Sequence, residues 1–263
     1  MLSFGMPTLI ELETDEESAA LCRELGLQFI ELNMSFPQYQ PETMDVRELG
    51  RLKEKYGIYY TVHIDEALDP CSVNPGIARV YTETMLKTVE TAKALDIHIL
   101  NMHLLRGIYV TLPQRRTYIY AENEGLYLEN LRKFRDSVEK AIGGADIKVC
   151  IENTDDGWEK FMTDGAELLL ESPAFQLTFD IGHDFAAGKR DMPFIMSHED
   201  RLSHMHMHDA LGKKVHLALG DGEMDLENYL ALAEKHGCRV LVETKTAEAL
   251  RKSVKWLRAH GRL

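Results

Sequence analysis

The sequence predicts an α/β fold, a single (β/α)8 TIM barrel, on three observations. Its 263 residues are the usual size of one such barrel. Short β-rich runs alternate with longer segments of helical period along the chain, the pattern of βα units around a parallel sheet. No Ser, Gly or Pro-rich linker, short repeat or low-complexity run interrupts that rhythm, so residues 1–263 read as one domain. A doubly wound open sheet is the competing arrangement. It normally brings a Gly-rich turn after the first strand, and none is present.

The predicted strands cover residues 2–6, 27–33, 58–64, 97–103, 147–153, 175–181, 202–208 and 238–243, eight in all. Helical stretches between them include 15–25, 46–56, 78–95, 126–142 and 226–236, with 246–260 closing the chain, and eight helices are expected. Within 78–95, Val80, Thr84, Leu86, Val89 and Leu95 predict one buried stripe. Asp15 and Glu16 open the first helix, where its dipole favours negative charge, and the acidic runs 11–17 and 155–159 read as solvated faces or helix starts. Gly26, Gly57 and Gly237 follow helices where a left-handed cap is wanted. Along 175–180, Phe175, Leu177 and Phe179 share one face and Gln176, Thr178 and Asp180 the other. Helices cover the outside of such a barrel, so the polar face points inward. By the same parity Met205 and Met207 pack outward in the core.

Composition excludes the disordered and fibrous classes: 30 basic and 43 acidic side chains give a net charge of −13, with 44% hydrophobic and 28% charged residues. No run approaches the roughly 18 apolar residues of a membrane span, and residues 1–12 carry no cationic flank ahead of an apolar core, so no membrane partner and no export are expected. Cys22, Cys71, Cys150 and Cys238 show no paired spacing, which argues against a disulfide framework or a thiolate zinc site and fits a reducing cytoplasm. The acidic balance argues against a nucleic-acid partner, whose affinity comes mainly from phosphate neutralisation by Lys and Arg.

In a (β/α)8 barrel the active site lies at the carboxyl ends of the strands. Those ends carry Glu31, His63, His103, Glu152, Asp180, His206 and Glu243, so seven of the eight predicted strands finish in a carboxylate or an imidazole. Converging oxygen and nitrogen donors are what a shared metal ion requires. Parity groups Thr61 with His63, Asn101 with His103 and Leu241 with Glu243 in the interior. His183 and His216 follow in loops, and six of the eleven histidines fall between them, both included. His98, His198, His236 and His260 read as structural.

The motifs Thr61-Val62-His63, Leu100-Asn101-Met102-His103, Ile151-Glu152-Asn153-Thr154, the run from Asp180 to Gly188, His206-Met207-His208-Asp209, the run from His216 to Gly222 and Val242-Glu243-Thr244 stand in order at strand ends. In these the chain resembles the xylose-isomerase-like TIM barrel superfamily, which holds sugar and sugar-phosphate isomerases and epimerases together with endonuclease IV (AP endonuclease family 2). The resemblance implies a divalent cation, Mn2+, Zn2+, Mg2+ or Co2+, held by Glu152, Asp180, His206 and Glu243. His63, His103, His183 and His216 match positions that extend the site to two further metals in the endonuclease branch. His204, His206 and His208 share parity; the motif selects His206, with His208 as competitor.

Three departures count against the endonuclease branch, an enzyme of abasic-site DNA. Lys214 stands where its third metal needs an Asp, His103-Leu104-Leu105 replaces its His-Pro-Gly, and the chain is acidic. The reading favoured is a metal-dependent isomerase or epimerase of a small sugar or sugar phosphate, with Glu152 and Glu243 as the catalytic pair that moves a proton through a metal-stabilised enediolate. Endonuclease IV-like phosphodiesterase is the alternative, and a barrel reduced to a binding subunit is a third reading that the intact quartet opposes. Substrate contacts are assigned to Glu31, Arg106, Lys214 and Lys245, with Glu31 also suited to supporting a ligating His. Residues 106–122, with Arg115, Arg116, Tyr109, Tyr118 and Tyr120, read as a long loop that closes over a sugar. Lys189-Arg190 and Lys213-Lys214 lie on the same face, where a phosphate would be held. Many relatives oligomerise, and the resemblance extends a homo-oligomer to this chain.

Overall fold

Strand parity and helix periodicity place almost every element. The computed structural model describes residues 2–263. In chain order it contains β1 (Ser3–Pro7), α1 (Asp15–Leu25), β2 (Phe29–Asn33), α2 (Val46–Tyr56), β3 (Tyr59–His63), α3 (Pro75–Leu95), β4 (Ile99–His103), β5 (Tyr109–Thr111), β6 (Arg116–Tyr118), α4 (Ile119–Glu122), α5 (Glu124–Ile142) and β7 (Lys148–Glu152). There follow α6 (Lys160–Leu170), β8 (Phe175–Asp180), α7 (Ile181–Ala186), α8 (Met192–Ser197), β9 (Leu202–Met207), β10 (Asp209–Leu211), β11 (Lys214–Leu217), α9 (Leu226–His236), β12 (Arg239–Val242) and α10 (Ala247–Ala259). Eight strands close into a barrel in the order β1-β12-β9-β8-β7-β4-β3-β2. Every pairing around it is parallel. They are the eight strands predicted, each end within two residues.

The register sets the interior out in layers. Phe29 pairs with Tyr59, Glu31 with Thr61 and Asn33 with His63. Thr178 pairs with His204 and Asp180 with His206, and His103 with Glu152. Phe29 stacks on Tyr59 at the floor, centroids 5.2 Å apart. The outward side chains Phe175, Leu177, Phe179, Met205 and Met207 are buried beneath the helices, as parity requires.

The helices start and stop as their termini dictate. Thr14 and Glu17 form a reciprocal capping box at the start of α1, and Gly26, Gly57 and Gly237 take positive φ of 77°, 62° and 64° after α1, α2 and α9. Thr14→Ala is expected to cost about 1 kcal/mol, read as a lower urea midpoint at unchanged slope.

Four expectations are corrected. Val80 is 54% exposed; the buried face of α3 is Met85, Thr88, Val89, Ala92 and Leu95, because only the C-terminal half of this 21-residue helix packs on the barrel. The sequence reading names no helix over 160–170, yet α6 lies there. Apolar residues ring most of it (Phe161, Met162, Ala166, Leu168, Leu169 and Leu170 are buried), which blurs the helical period, and Gly165 weakens helix propensity. That glycine is needed: a Cβ there would stand 2.7 Å from Leu131 Cδ1, so it lets α6 approach α5 closely. The crossover from β8 to β9 uses two six-residue helices, α7 and α8, instead of one. Residues 106–122, read as a loop, form the antiparallel ribbon of β5 and β6 followed by the single turn α4.

Candidate metal centre

The strand ends bring four side chains to one point. His206 Nδ1, on β9, lies 3.0 Å from Glu152 Oε1 at the end of β7 and 3.1 Å from Glu243 Oε2 just past β12. Asp180 Oδ2, at the end of β8, is 4.0 Å from the same nitrogen. One ligand atom from each of the four lies within 4.8 Å of the others. Glu152, Asp180 and His206 are all at most 2% exposed. Both ring nitrogens of His206 are buried and neither makes a hydrogen bond; Nδ1 is the one that stands among three carboxylates. Three carboxylate oxygens around an unpartnered imidazole nitrogen are a donor set that suits a divalent cation.

Each of the four is also held from behind. His206 Nε2 is 3.0 Å from Glu31 Oε1. Oε2 of Glu152 accepts from Asn101 Nδ2 and lies 3.1 Å from His103 Nε2 and 3.3 Å from His63 Nε2. Asp180 Oδ1 accepts the backbone N–H of His183 at 2.7 Å, and Oδ1 lies 3.2 Å from His208 Nε2. Oε1 of Glu243 accepts from Lys245 Nζ at 2.7 Å. One atom of each group faces the centre and the other is tied to a neighbour, which fixes side-chain rotation before any ligand arrives.

Charge follows this geometry. Burial opposes ionisation of Glu152 and Glu243, but a cationic His206, joined by His103 at Glu152 and Lys245 at Glu243, holds both well below the usual carboxylate range. Burial likewise opposes charge on His206, and Glu152 and Glu31 overcome it, raising its pKa well above the ordinary imidazole value. For His63, the contact with Glu152 outweighs burial and lifts it to about 9. His216, desolvated and only 3.7 Å from Glu243, is pushed down to about 4 by burial.

Around Asp180 sit three further imidazoles, His183, His208 and His216, with centroid separations of 5.2, 4.9 and 4.3 Å. His216 holds a left-handed φ of 56° that directs its N–H to His208 Nδ1 at 2.9 Å. An accepting Nδ1 leaves His208 Nε2 as the N–H facing Asp180. Gly182 makes room for this: a Cβ there would meet His208 Cε1 at 2.0 Å. Asp209, also buried, accepts backbone N–H groups of Gly220, Gly222 and Met224 and so holds the loop after His216 in place.

A cavity of about 450 Å3 opens above the quartet, walled by Asn33, His63, His103, Arg106, Asp155 and Lys245. A second, of about 240 Å3, shares Asn33, His63, Glu243 and Lys245 with it and reaches Glu31 and His206. The structure thus brings together Glu152, Asp180, His206 and Glu243, sets His63 and His103 against Glu152, and sets His183 and His216 beside Asp180. Arg106 and Lys245 line the cavity, the Arg106 guanidinium donating to the carbonyls of Asp155 and Gly157. Lys214 stands exposed on β11, outside the cavity wall. The tyrosines of 106–122 do not reach the cavity: Tyr120 is buried against Tyr127 and Phe161, Tyr118 packs on Phe161, and Tyr109 lies under Arg116.

His208 and Asn101 complete the site without having been assigned to it. Parity had turned both inward; what was missing was that each answers a ligand's second oxygen. The structural histidines behave as read, with His98 beside Asp96 and Asp146, His198 beside Glu167, His236 beside Glu199 and His260 on Trp256. The four cysteines are free and buried. Among the described residues, no helix is long and apolar enough to cross a membrane.

Comparison with known proteins agrees with this architecture. The family model described as xylose isomerase-like TIM barrel matches residues 19–260. A search of curated proteins finds no match. Among solved structures, a D-tagatose 3-epimerase-like protein superposes with a TM-score of 0.79 at 22% identity, over 98% of this chain and 97% of that one. The 3-keto-D-glucoside 4-epimerase of E. coli gives 0.78 at 14% identity, over 98% and 100%. D-psicose 3-epimerase from Clostridium cellulolyticum H10, solved with D-tagatose, gives 0.76 at 14% identity, over 99% and 98%. At these identities the likeness is one of fold, while the family match spans most of the sequence. The chain belongs to the xylose isomerase-like TIM barrel family.

Proposed function

We propose that this chain is a divalent-metal-dependent isomerase or epimerase of a small sugar or sugar phosphate, working in the cytoplasm. The observation that carries the reading is the convergence of Glu152, Asp180, His206 and Glu243, one ligand atom each within 4.8 Å, with Glu152 and Glu243 lining an open polar cavity. These four would hold the cation. When bound, the cation supplies Lewis acidity toward neighbouring carbonyl and hydroxyl oxygens of the sugar.

The remaining work falls to the chain's own residues. Glu152 and Glu243 approach His206 Nδ1 from two different strands, at 3.0 and 3.1 Å, so a substrate seated over the centre has a carboxylate on either side. One takes the proton from the carbon beside the carbonyl, leaving an enediolate, and the other returns a proton to the opposite face, which inverts that carbon. Each carboxylate is held ionised and able to accept, so the one that returns a proton first takes it up from water, and the one that removed the substrate proton gives it back to water when the cycle closes. Lys245 and Arg106, in the cavity wall, orient hydroxyls or a phosphate.

A second reading has one specific observation in its favour. His63, His103 and Glu152 form another cluster able to hold an ion, and His183, His208 and His216 a third. A multinuclear centre of that kind suits phosphodiester hydrolysis of abasic-site DNA.

Elemental analysis of protein purified without chelator separates the two. One Mn, Co, Mg or Zn per chain is the expected result; two or three per chain would transfer the assignment to the phosphodiesterase. Chelation is expected to lower Tm. Metal restored at a hundredfold excess over its Kd should return about 2.7 kcal/mol of stability, and an unchanged Tm would count against a built site.

A further inference from the structure

Glu31 is a buried carboxylate, 2% exposed, in the barrel interior one layer below the metal centre. Its Oε2 accepts from Thr61 Oγ1 at 2.8 Å and lies 3.0 Å from His204 Nε2. Its Oε1 lies 3.0 Å from His206 Nε2, at ion-pair distance, although the angle of approach does not make a hydrogen bond. His204 is itself fully buried, and its other nitrogen, Nδ1, has no partner. The carboxylate therefore spans two histidines that are two residues apart on β9, and a hydroxyl from β3 steadies it.

A neutral imidazole has one N–H and one lone pair, on opposite nitrogens. At His206 the two nitrogens face competing acceptors: Glu31 on the Nε2 side, Glu152 and Glu243 on the Nδ1 side. A proton on Nδ1 would block the position that the quartet offers to a cation. A proton on Nε2 leaves Nδ1 free to ligate. Glu31 can only accept, and it is the carboxylate on the Nε2 side. We infer that Glu31 is a positioning residue that fixes His206 as the Nε2–H tautomer and so presents Nδ1 to the metal, while His204 and Thr61 keep its other oxygen occupied. The inference rests on the metal-centre reading above and adds the residue that prepares its only nitrogen ligand.

Imidazole 15N NMR with Zn2+ as the probe, together with Zn2+ titration, tests it. In the wild-type protein His206 should show Nε2–H with Nδ1 metallated. Glu31→Ala should weaken Zn2+ binding by about 10–100-fold. Glu31→Gln should weaken it less: the amide oxygen takes the Nε2–H of His206, and the amide NH2 then faces His204. His204 is expected to answer by moving its proton to the partnerless Nδ1, a change visible at a second histidine with no activity assay. Zn2+ bound to His206 through Nε2, or Glu31→Ala binding Zn2+ as tightly as wild type, overturns the inference alone. If Glu31→Ala does not fold, the His204 tautomer in Glu31→Gln decides, and its staying unchanged overturns the inference. Wild-type protein that takes up no Zn2+ overturns the metal-centre reading and this inference with it.

Discussion

Glu152→Gln and Glu243→Gln are each expected to abolish exchange of a substrate C–H with deuterated water. Glutamine keeps the shape of glutamate and one carbonyl oxygen, but its neutral amide cannot take up a proton from carbon. General acid–base groups contribute about 10²- to 10⁴-fold, so the residual exchange should fall by at least that range. The two positions differ in what surrounds them. Glu152 is backed by Asn101, His63 and His103, whereas the outer oxygen of Glu243 accepts from Lys245 and has His216 Nδ1 at 3.7 Å. Glu243→Gln should thus also release the Lys245 ammonium into the cavity. Exchange is read by proton NMR on a panel of free and phosphorylated ketoses, with metal content measured on each variant. Normal exchange in a metal-loaded variant would remove that glutamate from the proton-transfer pair.

The centre of this site was legible in the sequence because a parallel barrel ties chemistry to two simple periodicities. Strands buried on the helix side must alternate, so the polar residues at 31, 152, 180 and 206 could point only inward, and their position at strand ends put them at the mouth. The competition between His206 and His208 was beyond parity, since both face inward. Geometry separates them: His206 Nδ1 meets three carboxylates, while His208 spends Nδ1 on the His216 backbone N–H and turns Nε2 to Asp180. The helix α6 was obscured for the opposite reason, because a segment buried on most sides carries little amphipathic signal. The tyrosines of residues 106–122 stand away from the cavity because Tyr118 packs on Phe161 and Tyr120 on Tyr127 and Phe161, neighbours that only the tertiary fold supplies. Sequence spacing says which way a side chain faces; it does not say which of several inward groups touches which.

Metal binding is expected to release protons, and affinity should therefore rise with pH. In the metal-free protein His206 carries a pKa raised well above its ordinary value by Glu152 and Glu31 acting against burial. Its protonation stabilises the fold fully below the unfolded value of about 6.5, and that contribution is lost as pH rises through the raised folded value. The lowered carboxylates act the other way: Glu152 and Glu243 contribute stability above the ordinary carboxylate range of about 4.3 and lose it on acidification. A cation ligated by Nδ1 has to displace the His206 proton, so log K should climb by about one per pH unit below the His206 pKa and flatten above it. His63, lifted to about 9 by Glu152, loses that support once a cation neutralises the carboxylate, and so adds part of a second proton. Calorimetric titration at one pH in two buffers of different ionisation enthalpy counts the protons directly. A count between one and two near neutral pH is the expected result; a count of zero would mean that His206 is already neutral in the metal-free protein, with no proton on Nδ1 to displace.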